Sequence, residues 1–344
     1  MSDSMQYTRL GRSGLKISKV VLGCMSYGDK NWQPWVLNEE EGLPILKHAC
    51  DCGINTFDVA DTYSNGRSEE ILGKFLREYN IDRRSVVIMS KVFNFVDETR
   101  GPIDAANMGN NSGVRVNRVG LSRKHILDAV EASTERLGTY IDVLQTHRLD
   151  RDTPMEEIMN ALNDVVESGK ARYIGASSMA AWEFQMLQTV AEKLNWHRLI
   201  SMQDFHNLIY REEERETMPY CQATGVGYLP WSPLAAGVLA HAWHDCTDAR
   251  EESDVFLKAL FRGREEETDK AIVGRVEEVA AKKGISMAQV VIAWPMGKGE
   301  LNPIMGLDTK DRIDQAVEGM RMTLTREEME YLEEPYMAKN VSGY

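Results

Sequence analysis

Three ionisable side chains each stand at the end of a short apolar run of the sequence, and a tyrosine follows the first of them. Asp58 ends the run INTFD, Lys91 ends VVIMSK, His147 ends YIDVLQTH, and Tyr63 comes in the loop after Asp58. If these runs are parallel strands of one sheet, their carboxyl ends meet at one edge, and all four side chains converge there. Taken singly, each has a purely structural explanation: Asp58 as a turn cap, Lys91 as a solvated strand end, His147 as a core histidine and Tyr63 as rim packing.

Together the four groups have the composition of an acid catalyst. The positive charge of Lys91 is expected to lower the pKa of the Tyr63 phenol, and Asp58 is expected to keep Lys91 protonated in a partly buried site. Tyr63 can then donate its proton near neutral pH, while a neutral His147 donates a hydrogen bond that polarises a carbonyl group. No protein side chain supplies a hydride, so a reduction at this site requires a cofactor.

The segments that carry these groups alternate between strand and helix patterns. Helical periodicity follows Ser122, over Ile126–Leu137, and follows Thr153, with Pro154 in the first turn. Continuous apolar strands, each followed by an amphipathic helix, are typical of a parallel sheet covered by helices, and this pattern predicts an α/β fold closed into an eight-stranded (β/α) TIM barrel. The predicted strands are Val20–Leu22, Thr56–Val59, Val86–Met89, Val143–Thr146, Tyr173–Ala176, Ile200–Gln203, Val226–Trp231 and Pro303–Met305.

The competing architecture is an open, doubly wound sheet, which usually carries a GxGxxG turn after its first strand. The sequence contains neither that fingerprint nor a GxxxxGK[ST] loop.

The segments outside the barrel strands also have recognisable patterns. Tyr7–Leu10 and Lys16–Ser18 predict an N-terminal β-hairpin that closes the lower end of the barrel. Phe93–Leu121 and Ala240–Arg264 predict long loops at the carboxyl face. No segment resembles a linker, so residues 1–344 are predicted to form one barrel domain.

Composition excludes several classes of partner. Lys and Arg number 40 against 53 Asp and Glu, giving a net charge of −13, so the chain lacks the bulk positive field that gathers nucleic acid or anionic lipid. Met218–His244 contains no Asp, Glu, Lys or Arg, but Gly225, Gly227, Pro230, Pro233 and Gly237 interrupt it, which favours a buried strand and loop over a membrane span. The N-terminus lacks a secretory signal pattern, and together with unpaired cysteine spacing this predicts a cytoplasmic protein with reduced thiols.

The cysteine and histidine spacing predicts no metal site. Cys50 and Cys52 lie two residues apart at a probable helix end, where their side chains point to different faces. Among the seven histidines only His147 falls at a predicted strand end, and no HxH occurs. A metal-dependent barrel hydrolase, which needs clustered ligands, is therefore disfavoured.

Four motifs, in order along nearly the whole chain, resemble the aldo-keto reductase family. They are INTFDVADTYSNGRSEEILG at 54–73, SKV at 90–92, YIDVLQTHRLD at 140–150 and IGASSM at 174–179. The resemblance implies a TIM barrel that binds nicotinamide at its carboxyl face without a Rossmann fingerprint, and a catalytic tetrad of Asp58, Tyr63, Lys91 and His147. The tail from Leu324 to Tyr336 most resembles a fungal branch with versiconal hemiacetal acetate reductase-like members, which reduce aldehydes and polyketide-derived carbonyls.

The same resemblance implies the residues that bind the cofactor. Ser177, Ser178 and Gln203 are expected to contact the nicotinamide amide, and Trp231 is expected to stack on its ring. Small residues in a loop after Trp231 let backbone amides approach the pyrophosphate, although this segment could also be only a buried strand turning outward. The residues expected in that loop are Ser232, Pro233, Leu234, Ala235, Gly237 and Leu239.

The segment from Pro303 to Ala316 resembles the part of the family that binds the adenosine phosphate. Gly306, Arg312 and Gln315 are the expected contacts, and Arg312 can engage a 2′-phosphate with several donors, which favours NADPH over NADH. Two departures oppose that preference: Asp308 places a carboxylate near the phosphate, and Ala316 replaces an Asn common in the family.

Substrate selection is predicted from side chains that follow strands at the same mouth. Tyr27 and Trp32 follow the first strand, Phe93 follows the third, and Arg148 follows His147, so an apolar cleft with one cationic donor is expected to take aromatic or extended carbonyls. Trp32 could instead anchor its own loop.

An alternative function is a redox-sensing binding subunit, because the potassium channel β-subunits have the same barrel and a similar tetrad. The oligomeric state stays open.

Overall fold

The computed structural model describes residues 5–104, 107, 109–245, 266–299 and 301–343. Its centre is a closed barrel of eight parallel strands. The predicted TIM barrel is confirmed, and each predicted strand overlaps an observed one. The strands, in their order around the barrel, are β10 (Ile304–Met305), β3 (Val21–Gly23), β4 (Thr56–Asp58), β5 (Val87–Val92), β6 (Ile141–Thr146), β7 (Ala171–Ser177), β8 (Leu199–Phe205) and β9 (Gly227–Trp231).

The predicted N-terminal hairpin is also confirmed, as β1 (Tyr7–Arg9) paired antiparallel with β2 (Lys16–Ser18). It covers the amino-terminal end of the barrel, where Leu10 and Ile17 are fully buried in one cluster with the inward-facing Leu229. The turn needs glycine at Gly11, which has φ +57° and on which a Cβ would lie 2.4 Å from the carbonyl oxygen of Gly225. The floor of the barrel is therefore closed, and its carboxyl end is the open one.

Helices follow the strands around the outside of the barrel. The predicted helix after Ser122 is present, with the Ser122 hydroxyl accepting a hydrogen bond from the amide of His125. The helix after Thr153 begins later than predicted, at Met155, because the Thr153 hydroxyl donates to Asp150 instead of capping. The described helices are α1 (Glu39–Asp51), α2 (Arg67–Glu78), α3 (Arg123–Leu137), α4 (Met155–Glu167), α5 (Ala181–Leu194), α6 (Thr217–Thr224), α7 (Glu266–Lys283), α8 (Met287–Gly297), α9 (Lys310–Gly319) and α10 (Arg326–Glu333).

Burial on both faces explains why the strands read as continuous apolar runs. Every residue of β5 and β6 is buried, since one face packs inside the barrel and the other against helices. Of the described helices, none has the length and apolar character that crossing a membrane requires. Most of the predicted loop Phe93–Leu121 is described and contains a short 3₁₀ turn, Gly113–Arg115; residues 246–264 of the predicted loop Ala240–Arg264 lie outside the described residues.

Candidate active site

The fold brings Asp58, Tyr63, Lys91 and His147 together at the open end of the barrel. Asp58 is the last residue of β4, Lys91 lies next to the end of β5, and His147 follows β6 directly. Tyr63 begins a 3₁₀ turn, Tyr63–Gly66, that leads from β4 into α2. The ends of β4, β5 and β6 therefore supply the aspartate, the lysine and the histidine, and the loop after β4 places the tyrosine at the same end of the barrel.

Lys91 is the centre of this group. Its ammonium forms an ion pair with the Asp58 carboxylate and also donates to the Tyr63 hydroxyl at 3.1 Å and to the Val59 carbonyl at 3.1 Å. The Lys91 and Asp58 residues are 1% and 2% exposed, so the pair is shielded from solvent. Burial is the largest influence and lowers the pKa of Lys91, but the charges and hydrogen bonds of Asp58 and Tyr63 together outweigh it, and the net pKa is raised. The lysine therefore stays protonated, as predicted.

The pKa of Tyr63 differs from the sequence-based expectation. Burial, which disfavours the phenolate, is the largest influence; the nearby Lys91 ammonium only partly offsets it, and the net pKa is raised above its usual value of 10.0. The expected lowering of this pKa is therefore wrong. The phenol holds its proton firmly, and its hydrogen bond to Lys91 fixes the oxygen next to a cation that stabilises negative charge as the proton leaves.

His147 is held as a neutral imidazole. Burial is the main cause that places its pKa well below the usual value, and the positive charges of Lys91 and Arg148 act in the same direction. Its ring stands edge-on to Tyr63, with centroids 5.8 Å apart and planes at 81°. Its Nδ1 lies 3.5 Å from the amide nitrogen of Asn94. The imidazole thus faces the phenol across the mouth, where a neutral ring nitrogen can act as a donor.

Two glutamine side chains support Asp58 from inside the barrel. Gln203 donates from Nε2 to Asp58 Oδ2 at 2.8 Å and to Gln145 Oε1 at 3.1 Å, and Gln145 donates from Nε2 to Asp58 Oδ2 at 3.2 Å. Gln145 was not predicted from the sequence, although an uncharged polar residue in a strand predicted to be buried is the signal that marks it. Gln203 was predicted as a nicotinamide contact, and the structure shows that the Gln203 amide nitrogen is already shared between Asp58 and Gln145.

The predicted nicotinamide residues lie at the ends of neighbouring strands. Ser177 ends β7, with its hydroxyl 3.3 Å from that of Ser178, and the Trp231 indole at the end of β9 donates to Ser178 Oγ at 3.2 Å. One face of Trp231 stacks on Phe205, with centroids 4.5 Å apart and planes at 20°. The indole is thereby fixed as a platform whose other face can take a planar ring.

The loop after Trp231 has an unusual backbone. Ser232 (φ 51°), Ala235 (φ 50°) and Ala236 (φ 54°) are left-handed although they are not glycine, and Gly237 follows at φ 107°. Asn207 holds the loop by donating to the Ser232 carbonyl at 3.0 Å. Three of the predicted contacts are buried, and two of these, Ala235 and Leu239, belong to a core cluster; the third is Pro233. Leu234 and Gly237 lie between them, partly exposed.

The predicted adenosine residues sit after β10, on or before α9. Gly306 is exposed, Arg312 forms an ion pair with Asp308 at 2.7 Å, and the side-chain carbonyl of Gln315 accepts a hydrogen bond from Ser286 at 3.3 Å. The sequence analysis expected Asp308 to lie near a phosphate bound by Arg312. In the structure its carboxylate contacts the Arg312 guanidinium directly, so a phosphate has to compete with it.

The predicted substrate residues do not all reach the mouth. Tyr27 is 1% exposed, packs in the core, and donates its hydroxyl to the Leu307 carbonyl, so its prediction as a substrate contact is wrong. Trp32 is 5% exposed, and its carbonyl accepts from the amide of Ile103 in the long loop. Phe93 is partly exposed at the end of β5. Arg148 follows His147 and donates to its carbonyl at 2.6 Å.

A closed parallel barrel whose carboxyl mouth holds a buried aspartate–lysine pair beside a tyrosine and a histidine defines a barrel enzyme equipped for acid catalysis on a carbonyl group, in which a reduction needs a bound hydride donor. Comparison with known proteins agrees. Residues 19–336 match the profile described as the Aldo/keto reductase family, and the chain belongs to that family. This supports reduction of a carbonyl group as its activity, and the family generally uses NAD(P)H.

Full-length relatives come from fungi. The chain is 61% identical to versiconal hemiacetal acetate reductase of Aspergillus parasiticus over 338 residues, covering 98% of each chain. It is 52% identical to a provisionally named aryl-alcohol dehydrogenase of Schizosaccharomyces pombe, covering 98% of this chain and 97% of the relative. It is 44% identical to an aldo-keto reductase of Fusarium vanettenii, covering 99% and 93%. The predicted fungal branch is therefore confirmed.

Proposed function

We propose that this protein is an NADPH-dependent reductase of aldehydes and ketones in which Tyr63 is the proton donor. The observation that carries the proposal is the buried ammonium of Lys91, which bonds to Asp58 on one side and lies 3.1 Å from the Tyr63 hydroxyl on the other. This is the arrangement that general acid catalysis requires: a phenol that keeps its proton, next to a fixed cation that stabilises the phenolate once the proton has left.

Each residue of the tetrad has a separate task. His147, being neutral, donates a hydrogen bond to the carbonyl oxygen and holds it within reach of Tyr63. Tyr63 transfers its proton to that oxygen as the carbonyl carbon receives a hydride, so a C–H and an O–H bond form and the alcohol leaves. Lys91 balances the charge that remains on Tyr63 until solvent returns the proton. Asp58, fixed by Gln145 and Gln203, keeps Lys91 in place.

Bound NADPH would supply the hydride. The residues present fit such a group: Trp231 offers a fixed aromatic face, Ser177 and Ser178 offer hydroxyls beside it, and the left-handed loop after Trp231 exposes backbone in the way that an anion-binding turn does. At the far end, Gly306, Arg312 and Gln315 would hold the adenosine half. Arg312 favours a 2′-phosphate, because a guanidinium binds phosphate with several charge-assisted hydrogen bonds.

We further propose aromatic or polyketide-like carbonyls as substrates. Phe93 is partly exposed where β5 ends and offers the mouth an apolar surface, Trp32 is largely buried, and Arg148 can donate to a phenol, ester or acid group of the substrate. Tyr27 is withdrawn from this set because its side chain is buried. The names of two relatives, an aryl-alcohol dehydrogenase and a hemiacetal acetate reductase, agree with substrates of this kind.

The experiment is to follow NADPH absorbance with a panel of aliphatic, aromatic and polyketide-like carbonyls. Turnover of free aldehydes, abolished by Tyr63→Phe while NADPH binding persists, supports the proposal. NADPH binding without turnover of any carbonyl in the panel would contradict it and favour a redox-sensing binding subunit.

A further inference from the structure

A second cluster of metal-binding side chains lies outside the barrel mouth, between α1 and α9. His48 and Cys52 stand at the carboxyl end of α1, and Asp314 comes from the middle of α9. Within the described parts of the chain, these three form the one group of at least three His, Cys, Asp or Glu side chains whose ligand atoms all lie within 4.8 Å of one another. None of them belongs to the tetrad or to the predicted cofactor residues.

The fold makes this cluster in a way that sequence spacing does not reveal. His48 and Cys52 are four residues apart at the end of one helix, so their side chains lie on the same face. Packing of α1 against α9 then adds Asp314, which is 262 positions beyond Cys52. The sequence analysis considered Cys52 with Cys50, which points elsewhere; the partners of Cys52 come from the helical turn before it and from the other end of the chain.

The distances between the three ligand atoms resemble the edges of a zinc tetrahedron. Zn²⁺ binds sulfur at about 2.3 Å and nitrogen or oxygen at about 2.0–2.2 Å, which places ligand atoms roughly 3.4–3.6 Å apart. Cys52 Sγ lies 3.6 Å from His48 Nε2 and 3.5 Å from Asp314 Oδ1. The third edge, His48 Nε2 to Asp314 Oδ1, is 2.8 Å, a direct hydrogen bond. Only that edge has to open to admit the ion.

An ordinary surface ion pair accounts for only part of the arrangement. His48 and Asp314 side chains are 27% and 51% exposed, and a pair this exposed contributes little to stability. It also gives no reason for the thiol, whose sulfur approaches the His48 nitrogen at 3.6 Å and the Asp314 oxygen at 3.5 Å. A divalent cation would unite the three, displacing the thiol proton and leaving an open side for water.

We propose that His48, Cys52 and Asp314 form a Zn²⁺ site, with water as the fourth ligand, that fastens the end of α1 to α9. The donor set of one imidazole, one sulfur and one carboxylate suits zinc and disfavours Mg²⁺ and Ca²⁺, which prefer oxygen ligands. The proposal is independent of the proposed function, because it concerns side chains that take no part in carbonyl reduction.

The test is calorimetric titration of ZnCl₂ into reduced, metal-free full-length protein. The wild type should bind one equivalent at this site. Cys52→Ser, His48→Gln and Asp314→Asn should each weaken that binding on the order of tenfold or more, since even indirect supports of a metal site are worth about 10–100-fold. Cys50→Ser is the matched control, because it removes a thiol two residues away that is not in the cluster, and it should bind like the wild type.

A spectroscopic arm identifies the ligand directly. Co²⁺ should give a thiolate charge-transfer band in the wild type and in Cys50→Ser, and no such band in Cys52→Ser. Zinc should raise Tm in the wild type but not in the three ligand variants, whose Tm in EDTA should match that of the wild type because all three side chains are partly exposed. Unchanged zinc affinity in Cys52→Ser, equal effects of Cys50→Ser and Cys52→Ser, or no binding by the wild type would each overturn the proposal.

Discussion

Lys91→Met removes the buried ammonium while keeping an unbranched side chain, and it should abolish most carbonyl reduction. In the wild type, Lys91 Nζ lies 3.1 Å from the Tyr63 oxygen. At an effective dielectric constant of about 20, two unit charges at that separation attract by about 5 kcal/mol. A transition state with the proton half transferred uses about half of that energy. Since about 1.4 kcal/mol is a factor of ten in rate, kcat should fall by about 10² for a half-transferred proton, and by about 10⁴ if the full charge has formed on Tyr63 in the transition state.

The same substitution should also lower stability, for a different reason. Asp58 is 2% exposed and would lose its cationic partner, although Gln145 and Gln203 still donate to it. Removing one partner of a buried ion pair costs about 3–5 kcal/mol. Asp58→Asn removes the stranded charge, so the double variant Asp58→Asn/Lys91→Met should recover most of the lost stability and none of the lost activity.

Three measurements separate these effects: single-turnover oxidation of NADPH, urea unfolding, and fluorescence titration of NADPH. Tyr63→Phe is the matched control, because it removes one hydroxyl and no charge. It should lose activity by a similar factor with little change in the free energy of unfolding or in NADPH affinity. Near wild-type turnover of an aldehyde by Tyr63→Phe would refute its role as the acid, and recovery of activity in the double variant would show that Lys91 acts only on stability.

Three further predictions concern cofactor choice, acid stability and substrate. Arg312→Ala should weaken NADPH binding by on the order of 1.5–3 kcal/mol and NADH much less, while Asp308→Ser should tighten NADPH, both measured by fluorescence titration; equal losses for the two cofactors would contradict this. Because burial and neighbouring cations hold the pKa of His147 well below its usual value, the unfolded chain takes up a proton there that the folded protein does not. The free energy of unfolding should therefore fall as the pH drops below about 6.5, and less steeply in His147→Gln; identical slopes in urea titrations would count against it. Finally, kcat/KM should be about tenfold or more higher for nitrobenzaldehyde than for glyceraldehyde, and Trp32→Ala or Phe93→Ala should lower that ratio. An unchanged ratio in both variants would show that these aromatic side chains only support their own loops.

The barrel and the position of the tetrad were predictable because both depend on local patterns. Burial on two faces forces each barrel strand to be a continuous apolar run, and a polar residue at the end of such a run has to lie at the carboxyl face. Asp58, Lys91 and His147 all carry that signal. Tyr63 lies in the short loop between β4 and α2, which keeps it at the same carboxyl end of the barrel.

Quantities set by three-dimensional surroundings were not predictable in the same way. The pKa of Tyr63 depends on the balance between burial and one cation, and sequence shows the cation but not the burial. Tyr27 looks like a residue at the mouth until the fold buries it against Leu307. The support of Asp58 by Gln145 and Gln203 joins positions 87 and 145 residues away from it, beyond the reach of any local pattern.

The shortness of β10 has a dynamic consequence. Only Ile304 and Met305 of β10 pair with β3, and only Ile304 pairs with β9, whereas β8 and β9 pair over five positions. Amides held by so few ladder hydrogen bonds exchange with deuterium through local openings earlier than those of the longer strands. Gly306 and α9 follow β10, so the barrel amides that are least protected from exchange lie in the strand that leads into the segment proposed to hold adenosine. A bound nucleotide should therefore slow exchange most along this seam, while the amides around Lys91 are already slow without it.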